Sequence, residues 1–142
     1  TTGSDKLVKA LQANSIDVWI ISGGLKQLIL PVAQQLNIPE DHVNAAELNW
    51  QDNGDFSGIN IHNPFSTSKL QGAKSIAYRW HKPTIIIGDG FTDYQVYQQK
   101  LADHFIIYNE HVTRPKVLAT GAPQAKDIDS LQLKIMGLLQ GL

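Results

Sequence analysis

Two carboxylates, Asp89 and Asp93, lie four positions apart in the run Gly88-Asp89-Gly90-Phe91-Thr92-Asp93. The run follows Thr84-Ile85-Ile86-Ile87, an apolar segment of the kind that forms a buried strand. Ionised groups so close to a core are costly unless they hold a cation or a base, and their oxygens suit a hard ion such as Mg²⁺. The competing reading is structural: Asp93 caps the following helix and Asp89 fills a turn. A second glycine turn, Ser22-Gly23-Gly24, closes the run Asp17-Val18-Trp19-Ile20-Ile21. At a helix start it offers a hydroxyl, backbone N–H groups and the positive end of a helix dipole, which together hold an anion such as phosphate. A plain tight turn is the alternative. Lys69 is the third element. It opens a helix, where a cation opposes the dipole and needs some other reason to be present, unless it is simply a solvated surface lysine.

The elements that must position these residues can be read from apolar spacing. Ser4 or Asp5 caps a first helix carrying Leu7, Val8 and Leu11. Asp17 to Ile21 is a strand, and Leu25, Leu28, Ile29, Val32, Ala33 and Leu36 recur at helical spacing, interrupted by Pro31. Val43 to Trp50 and Phe56 to Ile61 flank Asn53-Gly54 and predict a small β-hairpin. Ser68 caps a helix with Leu70, Ala73, Ile76, Ala77 and Trp80 on one face. Thr84 to Ile87 and Phe105 to Tyr108 are further strands, with a helix over Tyr94 to Leu101 between them and an amphipathic helix from Asp127 onward. Strands alternating with helices predict an α/β fold with a doubly wound, Rossmann-like parallel sheet, whose ligands bind at the carboxyl ends of the strands. Both glycine turns fall at such ends.

Composition narrows the field of partners. With 142 residues and a formal net charge of -1, the chain is the size of one soluble domain and has no electrostatic footprint for nucleic acid. No apolar stretch approaches the ~20 residues needed to span a bilayer, so no membrane association is expected. The absence of cysteine removes thiol chemistry and fits the cytoplasm. The five histidines show no paired spacing for a metal site, and Asp52 and Asp55 suit turn chemistry beside Asn53-Gly54 better than calcium. Trp19, Trp50 and Trp80 read as packing residues. Arg114, Lys116 and His111 could meet an anion, although an exposed loop face is the commoner explanation.

Ile20-Ile21-Ser22-Gly23-Gly24, Lys69 and Ile86-Ile87-Gly88-Asp89-Gly90-Phe91-Thr92-Asp93 resemble the second, third and fourth motifs of the haloacid dehalogenase (HAD) superfamily, and most of all those of its phosphoserine phosphatases. Lys69 precedes Asp89 by twenty positions, close to the family spacing, whereas the rival Lys74 precedes it by only fifteen. The resemblance implies that residues 1–142 form a HAD-like core domain carrying motifs two to four. It implies a Mg²⁺-dependent phosphoric monoester hydrolase acting on a small phosphorylated metabolite through an aspartyl-phosphate. Ser22 and the Gly23 amide would then bind phosphate oxygens, and Lys69 would neutralise charge on the phosphate and nucleophile. Asp89 would coordinate Mg²⁺, Asp93 would order a metal-bound water or orient Lys69, and Gly90 and Thr92 would approach the substrate.

One departure shapes these expectations. The family's first motif, an Asp-x-Asp on the central strand that supplies the nucleophile, has no counterpart here. The single Asp-x-Asp, Asp127-Ile128-Asp129, opens the terminal helix and reads as capping. A sheet without its central strand would leave unpaired edges in the core. A missing N-terminal segment is therefore expected to supply that strand, with a second polypeptide or a rearranged fold as alternatives. The cap domain is expected to be absent as well, and this chain alone to be inactive. The alternative reading is a catalytically inactive phosphate-binding or interaction domain derived from the same fold. A dinucleotide-binding domain fits less well, because Leu25-Lys26-Gln27 follow the glycine pair where a third glycine would be needed.

Overall fold

Apolar runs become strands and helical periods become covering helices in the computed structural model, which describes residues 3–50, 56–59, 63–66, 68–109 and 114–139. The expected buried strands at residues 17–21 and 84–87 are only partly buried, with Ile20 and Ile21 half-buried and Ile87 exposed. The elements in chain order are α1 (Ser4–Ala13), β1 (Ile20–Leu25), α2 (Lys26–Gln35), β2 (Val43–Ala46), β3 (Leu48–Trp50), β4 (Phe56–Ile59), α3 (Lys69–Ile76), β5 (Ile85–Gly88), α4 (Phe91–Gln98), β6 (His104–Tyr108), α5 (Pro115–Leu118), β7 (Gln124–Ala125) and α6 (Ile128–Leu139). The chain divides into two compact units, Val8–Tyr78 and Thr1–Leu7 with Arg79–Leu142. Among the described residues no helix is long and apolar enough to cross a membrane.

In the Val8–Tyr78 unit, β1 and β2 pair in parallel, with Ile20 beside Val43 and Ile21 beside Asn44. Val8, Ala33, Ile38 and Val43 form the core here, and Val18, Ile20, Ile29, Leu30 and Leu36 pack against it. His42 stacks on Trp19 with ring centroids 3.9 Å apart, a packing role for both residues. The expected hairpin is present as the antiparallel pair β3 and β4, Leu48 opposite Ile59. Its turn at Asn53-Gly54, with Asp52 and Asp55, lies outside the described residues. Val43–Ala46, which the sequence places in the first arm of that hairpin, is instead a strand of its own beside β1. Val43, Ala45 and Ala46 are buried in the helix-covered parallel pair, and Glu47 separates the strand from β3.

Helix α3 begins where the serine signal places it. Ser68 Oγ accepts a hydrogen bond from Gln71 N at 3.0 Å and so satisfies one of the helix's orphan N–H groups. The turn Pro64–Ser66 packs on α3. There the buried Phe65 ring lies flat against Gly72, and a Cβ on residue 72 would overlap that ring.

In the other unit, β5, β6 and β7 form a parallel sheet with β6 at its centre, Ile86 beside Phe105 and Ile107 beside Gln124. Phe105, Ile106 and Ile107 are all buried, as expected of a strand covered on both faces. Leu131 and Ile135 of α6 are buried one turn apart. Asp127 Oδ1 accepts from Ser130 N at 2.7 Å, so the lone Asp-x-Asp segment does begin with a helix cap. Among the described residues β1 has one strand neighbour, β2, and β5 has one, β6.

Candidate active site

Within the Val8–Tyr78 unit, Ser22-Gly23-Gly24 does not end the strand as a simple turn. β1 continues through it to Leu25, yet the pairing jumps from Ile21 beside Asn44 to Leu25 beside Ala46. Four steps on β1 therefore match two on β2, and Ser22, Gly23 and Gly24 form an irregular bulge. A bulge takes backbone groups out of the strand ladder and re-aims the local side chain, and glycine accommodates it at little steric cost. Helix α2 starts at Lys26, directly after the bulge, and its N-cap, Leu25, makes no side-chain cap hydrogen bond. The first turn of α2 therefore adds N–H groups to the same neighbourhood without a side-chain acceptor of their own.

Lys69 is the first residue of α3, and α3 packs against β1. Ser22 and Lys69 are thus carried by touching elements of one unit, and both are half-buried. Lys74, the rival lysine, is exposed near the far end of the same helix. A cavity of about 340 Å³ in this unit is lined by Lys26, Asn44, Glu47, Asn63, Phe65 and Ser75 among others. Lys26 Nζ and Glu47 Oε1 are 4.0 Å apart in it. Neither Ser22 nor Lys69 is among the described residues of its wall.

The second group of candidates lies in the other unit. Asp89 directly follows β5 and is exposed, and among the described residues its carboxylate forms no ion pair and no hydrogen bond. Asp93, on the first turn of α4, is only 4% exposed. Its Oδ2 accepts from Gly90 N at 3.2 Å, which is the capping half of the competing reading. Gly88 makes this possible: a Cβ there would collide with the Asp93 carboxylate. The carboxylate is therefore seated against the end of β5 by a position that tolerates only hydrogen. Gly90 is the N-cap of α4, and exposed Thr92 is its second residue. Helix α4 begins at Phe91 rather than Tyr94, because the Gly90 cap and the Asp93 hydrogen bond hold one further turn.

As a metal centre, this pair is a partial donor set. Among the described residues no three His, Cys, Asp or Glu side chains are grouped to hold an ion. Magnesium, however, commonly binds through one or two carboxylates, with waters and substrate phosphate filling its octahedron. An exposed carboxylate four positions before a buried, hydrogen-bonded one offers the kind of donor that habit uses.

Sequence reasoning set Lys116 aside as an exposed loop residue. Its Nζ lies 4.6 Å from the centroid of the Phe91 ring. The two residues are twenty-five positions apart, so no local spacing signals the contact.

No protein-family model matches the chain. Phosphoserine phosphatase of Arabidopsis thaliana, a chloroplastic protein, is 41% identical over 109 residues, which are 75% of this chain and 37% of that protein. Phosphoserine phosphatase of Homo sapiens is 36% identical over 120 residues, 82% of this chain and 52% of that one. The crystal structure of a phosphoserine phosphohydrolase-like protein from Francisella tularensis superposes with a TM-score of 0.89 at 36% identity, covering 95% of this chain and 62% of its own. The chain thus spans about half the length, or less, of these two curated relatives. By these similarities and an α/β fold of parallel strands, the chain belongs to the haloacid dehalogenase superfamily, among its phosphoserine phosphatase-like members.

Proposed function

We propose that this chain is the motif-two-to-four portion of a Mg²⁺-dependent phosphoric monoester hydrolase whose substrate is phosphoserine or a closely similar small phosphorylated metabolite. The observation that carries the reading is the Gly88–Asp93 segment, where Asp89, exposed and without an ion pair or hydrogen bond among the described residues, lies four positions before the buried Asp93 at the carboxyl end of β5. Phosphoryl transfer asks little covalent work of a protein beyond the attacking group. It asks for positioning, and for neutralisation of charge on the phosphoryl oxygens.

In this reading the attacking carboxylate lies outside the chain, on a strand supplied by the rest of the protein. The Ser22 hydroxyl and the Gly23 amide donate to phosphoryl oxygens, both residues lying where the β1–β2 pairing is interrupted. The Lys69 ammonium neutralises negative charge on phosphate and nucleophile, and Gly90 and Thr92 border the substrate. Asp89 and Asp93 would hold Mg²⁺, with Asp93 orienting its partners through its place on α4. The metal, when bound, supplies positive charge to the transferring group's oxygens.

The test uses the full-length protein that contains this chain, with phosphate release from phosphoserine measured in Mg²⁺ and after chelation. Turnover with Mg²⁺ that vanishes on chelation is expected. Failure to release phosphate from any monoester with Mg²⁺ present removes the reading, and phosphate binding without turnover would point to the inactive domain instead.

A further inference from the structure

Lys116 has an environment that a solvated loop lysine does not need. Its ammonium rests 4.6 Å from the centre of the Phe91 ring. That ring is itself held: Phe91 packs on Tyr94 with centroids 5.4 Å apart, and Tyr94 packs on Phe105 of β6 at 5.9 Å. Phe105 is buried in the centre of the sheet. A chain of aromatic contacts therefore fixes the position of one ammonium group relative to the sheet. Phe91 is also the residue after Gly90, so the fixed charge stands beside the Gly88–Asp93 segment.

A ring face attracts a cation through its quadrupole but carries no net charge, so it holds the ammonium without neutralising it. Among the described residues Lys116 forms no ion pair. The result is an exposed, positioned cation with no ion pair among the described residues, the equipment for recognising a second anionic group on a ligand bound at the neighbouring acidic segment.

Resting on the hydrolase reading above, we propose that Lys116, braced by Phe91, is a specificity-determining residue that recognises an ionised carboxylate on the organic part of the phosphomonoester. It touches no reacting atom. Its contribution is binding energy that esters with an uncharged organic group do not receive.

The test compares two substrates on the full-length protein, phosphoserine and a phosphomonoester of an uncharged alcohol, in wild type, Lys116→Gln, Lys116→Arg and Phe91→Leu. Lys116→Gln is expected to raise KM for phosphoserine about fivefold and to leave KM for the neutral ester within about twofold, with kcat on both little changed. Lys116→Arg, which keeps the charge and the ring contact, is expected to retain most of the discrimination, and Phe91→Leu to lose part of it. Circular dichroism should show the Lys116 variants folded, since Lys116 is exposed, and should confirm that Phe91→Leu, a change at a half-buried residue, keeps the wild-type spectrum before its KM is compared. Equal KM shifts on the two substrates, or none, in an enzyme that remains active would overturn the role of Lys116 and leave the hydrolase reading standing. A wild-type protein without turnover on either ester would remove both.

Discussion

The two units approach charge in opposite ways. In Val8–Tyr78 the candidate anion site is mostly main chain, a three-residue bulge of Ser22, Gly23 and Gly24 followed by the uncapped start of α2. In the other unit the candidate cation site is all side chain, with Asp89 exposed and Asp93 buried against Gly88. Short of proline, substitutions displace a backbone donor rather than delete it, whereas any uncharged residue removes a carboxylate in one step. The first kind of site should therefore degrade gradually and the second abruptly.

The largest expected effect follows from that contrast. Asp89→Asn in the full-length protein should lower phosphate release by about a thousandfold, since several kcal/mol of charge stabilisation depends on the metal it would hold. Its melting temperature should stay near wild type, because Asp89 has no partner among the described residues to lose. Activity that survives this change would break the comparison. Gly88→Ala should come next, costing about 1–3 kcal/mol in urea unfolding, because the new methyl meets the Asp93 carboxylate. Ser22→Ala should reduce kcat/KM by about tenfold, since the hydroxyl is one donor among several. The smallest effect is expected for Ser68→Ala, about 1 kcal/mol of stability through the lost α3 cap, read by thermal melting.

Much of this arrangement was legible in the sequence because local chemistry and fold agree there. Ile85 to Ile87 and Phe105 to Tyr108 are apolar on consecutive residues and form strands at those places, and Ser68 and Asp127 act as caps. What escaped was set by partners distant in the chain. Val43–Ala46 reads as a hairpin arm until β1 is placed beside it. Gln124–Ala125 is too short to show a period, and it is a strand only because β6 offers it an edge. The bulge was hidden for another reason: Ser-Gly-Gly signals a turn, and sequence alone does not say that pairing resumes at Leu25. Among the candidate site residues, the types and order of Ser22, Lys69, Asp89 and Asp93 could be read directly. The close seat of Asp93 on Gly88 and the perch of Lys116 on Phe91 required coordinates.

Gly72 lies three residues beyond Lys69 on α3, which puts the two on nearly the same side of the helix. With the Phe65 ring pressed on its bare backbone, α3 is keyed in both roll and depth like a shaft against a flat. The seat of α3, and with it the place of the Lys69 backbone, accordingly depends on an atom that residue 72 does not possess.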